Sequence, residues 1–475
     1  MSQPPNPNKV LLRASVPRRL RAMRIWLASL VTLWLGCAGV ALAAQQDAEV
    51  ISEFVLDNGL KLIVQEDHRA PVAVVQVWYR VGGADEHDGI TGVSHALEHM
   101  MFKGTESLEP GEFSEIVAAR GGRENAFTSA DYTAYYQEWG AENVEMSFKL
   151  EADRMRNLKL TEETFEQEIK VIAEERRLRT DDNPSAYAYE VLRATAYETG
   201  PYRQPVIGWA EDIENMQLAD LKAWYQRFYA PNNAIVVVVG DVDPDVVHAL
   251  AKAYFGPLAA EDIPPPRLRT ERTQTGTKRT DVRRADARVP SLMLAFKAPS
   301  LPEIARGEVD AEPGETYALD VASAVLAGDG ASRMHNALVR EQGLATSVYA
   351  GYSSVSRLTS LFYMVATPAP GTSLDALEAA MLEHIHALKE TPPSEAELAR
   401  VKAQVIAESV YERDSPSYQA NLIGSLEAVG LGWQIKADYA DEIANVAPAE
   451  VSAAAARFLT PERMTVTRLM PEEDA

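Results

Sequence analysis

The chain has 475 residues and a net charge of −23, with 69 acidic side chains against 46 basic ones. That balance argues against a nucleic-acid partner, since phosphate binding needs a basic surface. The length exceeds one ordinary domain and suggests about three at most, and a hydrophobic content of 46% can fill sizeable cores.

The N-terminus reads as a targeting segment. Arg18, Arg19, Arg21 and Arg24 precede an apolar run from Ile25 to Leu42, and Ala41-Leu42-Ala43 is a small-x-small cleavage site. Thr32, Gly36 and Gly39 interrupt the run, so a signal peptide over residues 1–43 is expected rather than a stable membrane anchor. Met23 is an alternative start that leaves Arg24 as the basic flank. The single cysteine, Cys37, lies in this segment, with Trp34 where a lipid-attachment box has Leu. The processed chain therefore has no cysteine. Export without disulfides fits the periplasm of a Gram-negative bacterium.

Val72–Tyr79 is a β-branched apolar run closed by Gly82-Gly83, which predicts a strand. The stretch 91–103 predicts a helix carrying His95-Ala96-Leu97-Glu98-His99. Positions i and i+4 share one helix face, so both imidazoles can point at one metal ion, with Glu98 on nearly the same face. This is the reverse of the His-Glu-x-x-His zinc motif, and the reversed form is itself a catalytic signature. A solvated polar helix face is the competing reading of five residues alone. Gly121-Gly122 permits close backbone approach just before Asn125-Ala126-Phe127-Thr128-Ser129, which otherwise reads as a strand after a glycine turn. The stretch 161–180 predicts a long charged helix with Phe165, Ile169 and Ile172 at helical spacing. A catalytic zinc takes three protein ligands; Glu166, Glu168, Glu174 and Glu175 are the candidates for the third, and spacing does not choose among them. Leu218–Phe228 predicts a helix, followed by a turn at Pro231-Asn232-Asn233 and a strand. His384 and His386, at i and i+2, diverge on a helix and read as surface.

The chain also reads as two copies of one unit. Lys170-Val171-Ile172-Ala173-Glu174 matches Gln404-Val405-Ile406-Ala407-Glu408, Pro184-Ser185-Ala186-Tyr187 matches Pro416-Ser417-Tyr418, and Arg227-Phe228-Tyr229-Ala230-Pro231 matches Arg457-Phe458-Leu459-Thr460-Pro461. Matches in one order at nearly constant spacing indicate duplication. A proline-rich, charged connection separates the copies. The expected division is residues 1–43 as signal, 44–262 as a metal-binding domain, 263–280 as linker and 281–475 as a homologous domain. The second copy has no His pair and sets Ser409 against Glu175, so only the first is expected to bind metal.

Taken with Met100-Met101-Phe102-Lys103-Gly104-Thr105, the 125–129 segment, the acidic helix and Phe228-Tyr229-Ala230-Pro231-Asn232-Asn233-Ala234, the chain resembles the pitrilysin-type (inverted zincin, M16) zinc metallopeptidases, in particular two-domain members akin to mitochondrial processing peptidase. The resemblance implies an α+β fold of two homologous domains, each a mostly antiparallel sheet covered by helices, together forming half of a clamshell chamber. It implies one Zn2+ per chain on His95, His99 and Glu175, with Glu168 orienting a ligand. It further implies Glu98 as general base of a metalloendopeptidase for peptides or unfolded polypeptide segments. Substrate would add as a strand along Asn125, Ala126, Phe127 and Thr128. Arg340 matches the family's substrate-contacting Arg, but Thr346 stands where a Tyr is expected. A homodimer, or a heterodimer with a related subunit supplying that Tyr, is therefore expected. The competing class is a non-catalytic structural subunit, although such relatives tend to lose the ligands or the base that are present here.

Overall fold

A computed structural model of the chain describes residues 50–263, 265 and 269–472. The expected signal segment lies outside the described residues. The first half builds β1 (Ile51–Val55), β2 (Lys61–Glu66), β3 (Val72–Tyr79), β4 (Arg123–Thr128), β5 (Thr133–Gly140) and β6 (Ala234–Gly240). They form one sheet in the order β1-β2-β6-β3-β5-β4, in which only β2 and β6 run parallel. The second half builds β7 (Lys278–Arg284), β8 (Ser291–Ala298), β9 (Ala345–Gly351), β10 (Ser360–Pro368) and β11 (Met464–Pro471). Their order is β7-β11-β8-β10-β9, with only β7 and β11 parallel. Without β1, the first order maps onto the second strand for strand, so the duplication read from short sequence matches is a duplication of topology.

The helices that matter for the site and the repeat are α1 (Val93–Met100), α2 (Glu162–Arg176), α3 (Pro184–Ala196), α4 (Leu218–Phe228), α5 (Glu395–Glu412), α6 (Pro416–Ala428) and α7 (Pro448–Phe458). The matched segments fall in the pairs α2/α5, α3/α6 and α4/α7. The strand Val72–Tyr79 and the helix Leu218–Phe228 have the expected bounds. The helix expected over 161–180 is α-helical to Arg176 and then widens into a π-helical turn, Arg177–Asp181. Thr161 caps its start by accepting from the Thr164 amide at 3.3 Å. β7 begins at Lys278, so the end of the stretch expected as linker pairs in register with β11.

Side chains alternate across a strand, and both faces of the first sheet are buried. Val75, Val77, Tyr79, Val236 and Val238 pack against α1 and α4 on one face. On the other, Val74, Trp78, Ile235, Val237 and Val239 meet Ala420, Ile423 and Ala428 of α6, a helix from the second half. The exchange is reciprocal. Ala188, Leu192 and Ala196 of α3, from the first half, pack on Met293, Ala295 and Leu469 of the second sheet. The helices exchanged are the matched pair α3/α6.

Gly424 marks how closely α6 approaches. A Cβ there would lie 2.1 Å from Cε2 of Trp78, whose indole is fully buried and donates to Gln76 at 2.8 Å. Replacing a helix-interior glycine by alanine ordinarily stabilises by about 1 kcal/mol. At this position overpacking reverses the sign, so Gly424→Ala is expected to destabilise by roughly 1–3 kcal/mol. A urea midpoint at or above that of the wild type would contradict this packing.

Candidate metal centre

The placement of α1 follows from its apolar stripe. Val93, Ala96, Leu97 and Met100 are buried in the first core, which turns His95, Glu98 and His99 to the opposite side. Its N-terminus is held tightly. Gly92 and Gly208 have φ of +87° and +93°. A Cβ on Gly92 would lie 2.5 Å from the Ile207 carbonyl oxygen, and one on Gly208 2.4 Å from that of Thr91. Only glycine tolerates both the conformation and the approach. The Glu86 carboxylate accepts from the Gly92 and Ser94 amides at 2.7 and 2.8 Å, satisfying donors a helix start leaves open. Burial pushes the Glu86 carboxyl up to about 8.

The acidic helix α2 buries Phe165, Glu168, Ile172 and Arg176. Arg176 ties its end to two other segments, donating to Glu190 of α3 at 3.0 and 2.9 Å and to the Gly208 carbonyl at 2.7 Å. The phase that buries these residues brings Glu175 towards α1. Glu175 Oε2 lies 3.4 Å from His99 Nε2 and 3.8 Å from His95 Nε2, and ligand-type atoms of the three residues lie within 4.8 Å of one another. Glu168 Oε2 sits 3.3 Å from His99 Nδ1, and its other oxygen accepts from Lys103 Nζ at 2.6 Å. The remaining oxygen of Glu175 accepts from Arg179 at 2.7 Å. Glu174 points outward to Arg177, 2.6 Å away, whose guanidinium holds its carboxyl below the usual range. Glu166 is exposed.

Glu98 Oε2 accepts from the Thr128 hydroxyl at 2.5 Å. Burial raises the Glu98 carboxyl, partly offset by that hydrogen bond. Burial also lowers the His95 imidazole to about 3, with the neighbouring His99 and Arg179 adding to the effect. The neutral ring is the form that ligates metals. Thr128 belongs to β4, the edge strand of the first sheet, with Asn125, Ala126 and Phe127 paired to β5 on one side only. The sheet edge that could accept an added strand is thus tied by one hydrogen bond to Glu98.

Arg340 is not brought to this cluster. It lies on the turn His335–Glu341 of the second half and donates to Asn336 at 3.1 Å. The Thr346 hydroxyl turns to the Thr367 carbonyl at 3.4 Å. Tyr349 is exposed on β9, while the Tyr352 hydroxyl donates to the Pro299 carbonyl. Sequence reasoning missed Lys103, Arg179 and Glu86. Arg179 stands four residues after Glu175, a helical spacing that signals ion pairing; no spacing rule pointed to Lys103, whose partner is Glu168, or to Glu86.

The donor set fits zinc. Bonds of about 2.0–2.1 Å in a tetrahedral site put neighbouring ligand atoms about 3.4 Å apart. The His99–Glu175 contact has that length, too long for a good hydrogen bond. Buried His95 Nδ1 has no hydrogen-bond partner. Two imidazole nitrogens and a carboxylate, without sulfur, suit a hydrolytic zinc site that leaves a position open. Among the described residues this is the one group of three such side chains close enough to share an ion.

A family model described as Insulinase (Peptidase family M16) matches residues 61–209, and one described as Peptidase M16 inactive domain matches residues 215–405. A Helicobacter pylori protein named Zinc protease PqqE is 32% identical over 400 residues, 83% of this chain and 87% of that one. The crystal structure of a protease from Helicobacter pylori shares the fold with a TM-score of 0.83 at 30% identity, over 89% of this chain and 100% of that one. The periplasmic protease PqqL from Escherichia coli has the same fold at a TM-score of 0.72 and 17% identity, over 89% of this chain and 48% of its own. Cytochrome b-c1 complex subunit 1 of Caenorhabditis elegans is 31% identical over 255 residues, 54% of this chain and 52% of that protein.

Proposed function

The chain belongs to peptidase family M16, and from that premise we propose that it is a zinc-dependent endopeptidase cleaving peptides or unfolded polypeptide segments. The observation that carries this reading is the convergence of His95, His99 and Glu175 beside a buried Glu98. His95, His99 and Glu175 would hold the ion, which when bound supplies Lewis acidity to a water and to the scissile carbonyl. Glu168 and Lys103 orient the His99 ring through its Nδ1, the role an outer carboxylate plays for a ligating histidine. Glu98 takes a proton from the attacking water on its carboxylate and hands it to the leaving amine. Thr128 fixes the Glu98 rotamer and couples it to the β4 edge, where Asn125 to Thr128 would pair with substrate main chain.

Thr346 offers no phenol, and Arg340 is turned to its own helix. A related subunit is therefore the source we propose for the missing Tyr, with export to the periplasm as the setting. The competing reading is a structural subunit, favoured by the Caenorhabditis elegans respiratory-complex relative. One experiment separates these readings. The purified chain, fractionated by size, is assayed on an unfolded protein before and after chelation and after readdition of zinc. Chelation is expected to abolish cleavage and zinc to restore it, in a fraction larger than a monomer. Full activity in the monomer removes the partner; no activity in any zinc-loaded fraction favours the structural subunit.

A further inference from the structure

The connection between β4 and β5, residues 129–132, meets the equivalent connection of the second half, residues 352–359 between β9 and β10. The first of these turns closes on itself. The Tyr132 carbonyl accepts from the Ser129 amide at 2.8 Å, and Ser129 Oγ accepts from the amides of Asp131 and Tyr132 at 3.1 Å each. The Asp131 carboxylate takes no part in this closure and is buried. It accepts from the Tyr202 hydroxyl at 2.6 and 2.7 Å and, through Oδ2, from the Arg357 amide at 3.1 Å. Arg357 Nε stands 3.3 Å from Oδ1, and the Tyr202 hydroxyl in turn accepts from the Leu358 amide at 3.1 Å.

Arg357 also reaches Asp85, donating from Nη2 at 3.0 Å. Asp85 ends the short helical turn Gly83–Asp85 that follows β3, and this segment is packed against residues 129–132. Gly83 and Ala84 donate to the Ser129 and Ala130 carbonyls at 3.1 and 2.7 Å, and a Cβ on Gly82 would lie 2.5 Å from the Ser129 carbonyl oxygen. One buried guanidinium of the second half thus bridges the turn and the segment it rests on. Desolvation offsets most of the attraction in a buried ion network, so such a network is weak evidence for stability. What this one supplies is a fixed geometry. Thr128, the donor to Glu98, is the last residue of β4 and immediately precedes the turn.

We propose that Asp131 and Arg357 are positioning residues for the reaction: Arg357 of the second half holds Asp131, and Asp131 holds the end of β4 from which Thr128 reaches Glu98. This role rests on the reading of Glu98 as the base. Neither residue belongs to the ligand group; both act through Thr128. The half without a metal thereby sets where the base stands.

The test is steady-state cleavage of fluorescein-labelled casein by the zinc-loaded active fraction of the full chain. Asp131→Asn is expected to keep its zinc and to lower kcat about 10- to 100-fold, with KM within about twofold, as a small misplacement of a reacting group does. Arg357→Lys, which keeps a charge for both carboxylates, is expected to retain more activity than Arg357→Met. Thr128→Val is expected to lower kcat as well, and Asp131→Asn to add little in that background, because residues that act through one another are not additive. A purely structural pair would lower the unfolding midpoint and leave kcat unaltered, or add in full to Thr128→Val; either result overturns the proposal. Should Asp131→Asn not fold, Tyr202→Phe removes one donor to Asp131 and leaves all three charges, with an expected loss of about fivefold in kcat. Independently of turnover, amide hydrogen exchange across β4 is expected to accelerate in Asp131→Asn with and without zinc, and unchanged exchange overturns the proposal. If the wild type cleaves and the variants cleave equally well, the positioning role alone is removed. If the zinc-loaded wild type cleaves nothing in any fraction, the role of Glu98 falls, and this one with it.

Discussion

Glu98→Gln is expected to keep one zinc per chain and to lower kcat/KM by about 10^2–10^4-fold, the usual contribution of a positioned general base. That corresponds to about 2.7–5.5 kcal/mol of transition-state stabilisation. The change is nearly isosteric. Glutamine keeps an oxygen that can accept from the Thr128 hydroxyl, now 2.5 Å from Glu98 Oε2, and Glu98 is not in the three-residue ligand group. Fold and metal content should therefore survive while the proton acceptor disappears. Parallel metal analysis and cleavage assays check this. A variant that keeps zinc and cleaves at the wild-type rate would remove Glu98 from the mechanism, and one that loses zinc would reassign it as a ligand.

The second large effect concerns the acidic helix. Glu175→Gln should weaken zinc binding by more than about 100-fold, beyond the 10–100-fold that loss of an orienting partner brings. Glu168→Gln should fall within that 10–100-fold range, because Glu168 contacts His99 Nδ1 at 3.3 Å rather than the cluster centre. Glu174→Gln should change affinity little, since its carboxylate is half exposed and bound to Arg177. Competition with a chromophoric chelator gives the three affinities. A larger loss for Glu174→Gln than for Glu175→Gln would mean that α2 sits in a different rotational phase.

That phase was partly legible in the chain itself. Phe165, Ile169 and Ile172 mark the apolar stripe of α2, which places Glu168 beside it and Glu174 opposite, whereas Glu166 and Glu175 flank it about equally on a helix of 3.6 residues per turn. Counting acidic residues did not separate them; the packing of Ile172 and Arg176 does. The π-helical turn at Arg177–Asp181 had no sequence signal, because it comes from where α3 must begin, at the Asn183 cap. Strand β3 and helix α4 were read with correct ends because Gly82-Gly83 and Pro231 punctuate them. The repeat too was readable from short matches. What periodicity cannot say is which surface a buried stripe meets. Ala188 and Leu192 in α3, like Ala420 and Ile423 in α6, read as ordinary core positions, and nothing local shows that each lies on the other half's sheet.

That crossing changes what the molecule is mechanically. Two equivalent units that trade the same helix form a closed, swapped dimer, here written into one polypeptide. The tether sets the effective concentration of each half for the other, so association is independent of how dilute the protein is. Unfolding one half strips a helix from the other, which makes the pair a single cooperative folding unit. A cut in the connecting stretch 263–280 would therefore not release two autonomous modules. The second half thus has a job that needs no metal of its own: it covers the back of the sheet whose edge strand holds Glu98 in place.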